Sequence, residues 1–252
     1  MIKRLIGAAA ALVLTVALAG CGSSSDAGSG GGGDKELVVF AAASLTESFT
    51  EIGKLFEKEH AGTTVRFNFA ASSALAQQIV QGAPADVFAA ASPATMGQVP
   101  NVSPEVFVKN SLIIAVPKGN PAKITSLKDL TDPSVKVALC AEQVPCGAAA
   151  VKALKAAGIT VKPVTLEQDV KATLTKVELG EVDAALVYRT DVKSAAGKVD
   201  GIEFPESAQA INDYPIAVLP KAPQPELAKQ FVALVRSEQG RSILTRVGFD
   251  LP

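Results

Sequence analysis

The chain has 252 residues with 24 Lys and Arg against 25 Asp and Glu, a formal net charge of −1 and no basic run, which argues against nucleic acid as a partner. Apolar residues make up 48% of it but aromatics only 5%, so the core is expected to consist of Ala, Val, Leu and Ile, as in α/β folds. With one histidine and no G-x-S-x-G, Walker or H-E-x-x-H pattern, the chain lacks the inventory for common catalytic chemistry, and neither an enzyme nor a cofactor or metal cation is expected.

Lys3 and Arg4 precede an uncharged run from Leu5 to Leu18. This run is shorter than the roughly 20 residues a membrane-spanning helix needs, so residues 1–20 read as a secretory signal. Leu18-Ala19-Gly20-Cys21 resembles the bacterial lipobox, in which cleavage precedes the cysteine and that cysteine is lipidated; an ordinary signal with a chance cysteine is the alternative. Gly22 to Asp34 is almost all Gly and Ser, so residues 21–34 form a flexible tether behind the lipid. The expected product is an exported protein anchored through Cys21 to the outer face of the cell membrane. About 218 residues remain from Lys35 onward, enough for one large domain or two lobes.

Leu37 to Phe40 is a short apolar run of strand type, and after three alanines Ser44-Leu45-Thr46-Glu47 has the spacing of a capping box. A strand that delivers a serine to a helix start leaves unpaired N–H groups and the positive end of a helix dipole beside a hydroxyl, which suits an anion. The plainer alternative is that Ser44 only caps its own helix. A second junction repeats the design: Phe67 and Phe69 alternate with polar neighbours, and Ala70-Ala71-Ser72-Ser73 leads into a helix with Leu75 and Ile79 on one face and Gly82 as its stop. Two such strand ends side by side would line one pocket with hydroxyls and amides.

Downstream, strand patterns cover Val87-Phe88, Asn110 to Val116, Val135 to Cys140, Ala184 to Tyr188 and Tyr214 to Leu219. Helix patterns cover Gly147 to Ala157, closed by Gly158, and Val170 to Leu179, with Asp169 as N-cap and Gly180 as stop. A further helix from Glu226 to Val235 and a short one to Val247 end the chain. The alternation predicts an α/β chain with mostly parallel sheets. Cys140 and Cys146, an even pair in an exported protein, favour a disulfide that would contribute roughly 2 kcal/mol; two unpaired thiols or half a metal site are the alternatives.

Taken in order, VVFAAASLTESF, FNFAASSALAQQIVQGAPADVF, NSLIIAV, EQVPCG, EQDVKATLTKVELGEVDAALVYRTD and DYPIAVL resemble the periplasmic molybdate-binding proteins of ABC importers, over nearly all of Leu37 to Phe249. The resemblance implies a two-lobed periplasmic-binding-protein clamp of type II, with mixed, mostly parallel sheets and two crossover strands. Strands bounded by prolines place lobe one at 35–116 and 215–252 and lobe two at 117–214. It also implies a tetrahedral oxyanion, molybdate or tungstate, held by hydroxyls and backbone amides with no cation, and an ABC importer permease as partner to a monomeric binding protein. Carried over by motif, the contacts are Ser44, Ser72, the amides of Cys146 and Val170, and Tyr188. Many members carry alanine where Cys146 follows Val-Pro, but an amide contact survives that change.

Sulfate is a rival ligand, and a lipoprotein without a transport role a rival class. Ferric iron is a third possibility, in sites that resemble an adjacent tyrosine pair, whereas Tyr188 and Tyr214 stand far apart and alone in this sequence.

Overall fold

A computed structural model describes residues 35–252; the expected signal, Cys21 and the tether lie outside the described residues. The chain opens with β1 (Lys35–Ala42), a short 3-10 turn and α1 (Thr46–Glu59). It continues with β2 (Thr63–Ala70), α2 (Ser72–Val80), β3 (Val87–Ala89), α3 (Pro93–Met96) and β4 (Glu105–Asn110). Next come β5 (Leu112–Pro117), β6 (Val137–Cys140), α4 (Pro145–Ala157) and β7 (Thr165–Glu167). After these follow α5 (Val170–Glu178), β8 (Ala184–Tyr188), α6 (Arg189–Ser194) and β9 (Val199–Ile202). The chain closes with β10 (Asn212–Val218), α7 (Pro225–Arg236) and α8 (Glu238–Val247).

The strands form two five-stranded sheets, ordered β2-β1-β3-β10-β4 and β7-β6-β8-β5-β9. Strands followed by helices pair in parallel, as β1 does with β2 and β3, and β6 with β7 and β8. Among the described residues the antiparallel pairings between named strands all involve β10 or β5, the two strands that enter a sheet from the other lobe.

Both crossings fall a few residues from where the prolines suggested. Asn110 pairs with Asn212 in the first sheet while Leu112 pairs with Tyr188 in the second, so the chain changes sheet at Ser111 and returns between Ile202 and Asn212. From Leu112 onward the apolar run NSLIIAV is therefore a strand of lobe two and not of lobe one. Its period is the same whichever sheet accepts it, and only pairing partners decide.

The two cores differ in chemistry. Lobe one packs Phe49 against Phe67, Phe107 and Phe231, with ring centroids 5.9–6.3 Å apart. Lobe two is built from small aliphatics, including Ala138, Ala149, Ala150, Ala153, Ala184 and Ala185, all buried. The aliphatic core expected from composition thus describes lobe two, while the few phenylalanines concentrate in lobe one.

Candidate functional site

At Ser44 the capping expectation fails. A 3-10 turn, Ala43–Leu45, precedes α1, and neither helix start has a side-chain cap. Ser44 Oγ instead lies 2.8 Å from the Tyr214 hydroxyl, with both residues buried. The hydroxyl is thus kept beside the helix start without being spent on it. Glu47, the other half of the expected box, reaches 2.7 Å to Lys171 Nζ across the lobes.

Ser72 opens α2 directly after β2, and its Oγ accepts a 2.9 Å hydrogen bond from the Ala91 N–H. An oxygen that already accepts keeps its own proton free to donate. The first N–H groups of α2 have no intrahelical acceptor by construction, and among the described residues those of Ser72 and Ser73 find no other backbone acceptor.

On lobe two, α4 begins with Pro145, which has no N–H to lose, so the Cys146 amide is the first free donor of that helix. Cys140 and Cys146 are bonded, with their Cα atoms 5.8 Å apart. The loop is tied further by the Ala141 N–H to Glu167 O at 2.8 Å and the Val144 N–H to Ala141 O at 3.1 Å. Replacing both cysteines by alanine is expected to lower the unfolding free energy by about 2 kcal/mol, read by urea titration, and to keep the backbone amide of residue 146.

Asp169 caps α5, its Oδ1 accepting from the Ala172 N–H at 2.9 Å, and the Val170 amide, at the first position of the helix, has no intrahelical acceptor. Tyr188 ends β8, is 1% exposed, and its hydroxyl has no hydrogen-bond partner among the described residues. A buried hydroxyl that neither protein, water nor ligand meets costs on the order of 1–3 kcal/mol. Burial, followed by the neighbouring Tyr214 and Asp191, raises the Tyr188 phenol well above its usual range. Burial also raises Tyr214. Both phenols are donors at any physiological pH.

These residues meet. One small cavity, about 20 Å³, is lined by Ser44, Ser72, Cys146, Val170 and Tyr188 together with the alanines of both strand ends, Val144, Pro145 and Asp169. No lysine or arginine lines it, and its single carboxylate, Asp169, is turned to its own helix. The volume lies far below the several hundred Å³ of a site for an organic ligand. A larger groove of about 420 Å³ beside the end of α2 is lined mainly by Ile79, Val80, Ala83, Pro84, Val99 and Pro220, with Asn101 and Lys221 as its polar side chains.

Behind the cavity sits a charged cluster that sequence reading passed over. Asp191 is fully buried; its Oδ2 accepts from the Tyr188 N–H at 3.0 Å and its Oδ1 is 3.4 Å from Lys171 Nζ. Burial raises its carboxyl to about 6, and Lys171 opposes that rise. Lys171 also contacts Ser194 Oγ at 2.9 Å, so with Glu47 it ties α5 and α6 to α1.

The reading of Tyr188 and Tyr214 as far apart is corrected. Their rings are 6.1 Å apart at 72°, because β8 and β10 of different sheets meet where the chain crosses between lobes. Burial drives both phenols toward the protonated form. The described residues hold no group of three or more His, Cys, Asp or Glu placed to bind a metal ion. His60 lies at the far end of α1, stacked on Phe56 at 3.9 Å, with no part in the cavity.

Residues 37–250 match the family described as bacterial extracellular solute-binding protein. The chain is 46% identical over 223 residues to the molybdate-binding protein ModA of Mycobacterium tuberculosis, covering 86% of this chain and 85% of that one. It is 31% identical to the Escherichia coli molybdate-binding protein ModA over 231 residues, 86% and 89% of the two chains. Among solved structures it resembles the Azotobacter vinelandii periplasmic molybdate-binding protein, with a TM-score of 0.74, 20% identity, and 86% and 99% coverage, a likeness that speaks for the fold.

Proposed function

Because the chain belongs to the bacterial extracellular solute-binding proteins, we propose that it captures molybdate outside the membrane and delivers it to the permease of an ABC importer. The observation that carries the reading is the donor set. Three hydroxyls and two helix-start amides, contributed by both lobes, line one small cavity without a cation. In this reading Ser44 and Ser72 from lobe one, and the Cys146 and Val170 amides with the Tyr188 hydroxyl from lobe two, surround the anion. Helix starts are each worth on the order of 1 kcal/mol to an anion, and hydrogen bonds to a charged acceptor are roughly twice as strong as neutral ones, so a dianion is held without a balancing lysine. Tungstate, nearly the same size, fits equally. The protein acts as a monomer, tethered by lipid at Cys21 to the outer face of the membrane, and it is a carrier that performs no chemistry on its ligand.

All five groups are donors, and this favours a fully deprotonated oxyanion over hydrogen phosphate, whose proton would need an acceptor. Calorimetry of the tether-free protein against molybdate, tungstate, sulfate and phosphate tests the reading. Molybdate and tungstate are expected to bind tightest and phosphate not to bind. Ser44→Ala and Ser72→Ala are each expected to weaken molybdate by about 1–3 kcal/mol, roughly fivefold to a hundredfold or more. Unchanged affinity in both would mean that the anion sits elsewhere.

A further inference from the structure

Resting on that reading, we infer that Tyr214 is a positioning residue for the oxyanion, one that never touches it but turns the Ser44 hydroxyl proton into the cavity. Tyr214 is fully buried on β10 and is absent from the cavity lining, so it can reach a ligand only through what it touches. Its hydroxyl is 2.8 Å from Ser44 Oγ. Its ring is gripped on two sides, by Tyr188 at 6.1 Å and Phe249 at 5.3 Å, both at 72°, which fixes where the hydroxyl points.

The direction of the Ser44–Tyr214 bond follows from chemistry. A phenol, with an ordinary pKa near 10, is a better donor than an aliphatic hydroxyl, and a serine facing an anion must give its own proton to that anion. The arrangement with Tyr214 donating and Ser44 accepting satisfies both groups, because the Ser44 proton is then left for the cavity. Ser72 supplies the internal comparison: its Oγ accepts from a backbone N–H, that of Ala91, at 2.9 Å, a donor whose direction is not in question. Each serine is thus backed by a buried donor that leaves its proton to the ligand. At Ser72 the donor is main chain and present in any sequence; at Ser44 it is a side chain that mutation can remove. Preorganised donors bind more tightly than ones that must reorient when the ligand arrives.

The test is a set of mutant cycles read by molybdate titration. Tyr214→Phe keeps the ring and its packing and removes only the hydroxyl. It is expected to weaken molybdate binding about fivefold to tenfold in the wild-type background, and by the same factor in a Ser72→Ala background. In a Ser44→Ala background it is expected to change affinity less than about twofold, since the group it acts through is gone. A merely structural role would lower affinity by the same factor in all three backgrounds, and that result overturns the inference. Wild-type affinity in Tyr214→Phe overturns it while the oxyanion reading stands. Failure of the wild-type protein to bind molybdate overturns both.

Discussion

Gly147→Ala is expected to cost about 3 kcal/mol or more of stability and to abolish tight oxyanion binding, although it adds a single methyl group. A Cβ at this position would stand 1.9 Å from Ala141 O and 2.7 Å from Cys140 O, both backbone atoms. Neither can retreat, because Cys140 is bonded to Cys146 and Ala141 is held to Glu167 in β7. The helix start itself must therefore shift, and with it the Cys146 amide that lines the cavity. In a chain of this size the loss corresponds to a melting temperature lower by roughly 6–12 °C. Thermal unfolding together with molybdate titration checks it; wild-type values in both would mean that α4 is not clamped where it meets the preceding loop.

Tyr188→Phe is expected to move two quantities in opposite directions. In the ligand-free protein it removes a buried hydroxyl that has no partner, so stability is expected to rise by about 1 kcal/mol. In the proposed complex it removes a donor to the anion, so affinity is expected to fall by about 1–3 kcal/mol, fivefold to a hundredfold or more. The ring itself keeps its place against Tyr214. Unfolding curves with and without molybdate separate the two effects: the variant should melt above wild type without ligand and gain less from its addition. A variant less stable than wild type without ligand would show that the hydroxyl has a protein partner after all.

Much of the cavity could be read from local sequence because it is built from chain ends of regular elements. Helix starts are dictated within a few residues, and Asp169 as the cap of α5 and Gly158 and Gly180 as stops with φ of +66° and +67° lie where the sequence puts them, while α4 begins at Pro145, two residues before the expected Gly147. Ser72 likewise falls at the junction of β2 and α2. Cys146, Val170 and Tyr188 were reached through motif resemblance. No periodicity distinguishes Val170 from an ordinary core valine, since its proposed contribution is an amide that every residue carries.

What local pattern could not reach are the partners made across the fold. Ser44 carries the spacing of a helix cap, yet its hydroxyl goes to Tyr214, 170 residues away, because a buried phenol offers a hydrogen bond where a 3-10 turn offers none. The same holds for Glu47 and Lys171, for Asp191 behind Tyr188, and for the change of sheet at Ser111. The sequence by itself determined where strands end, where helices begin, and which of those ends expose donors, because these depend on neighbours within four or five positions. Only the tertiary structure decided which sheet each crossing strand joins and which side chains stand behind the donors, because strand pairing and burial are set by contacts whose separation along the chain carries no local signal.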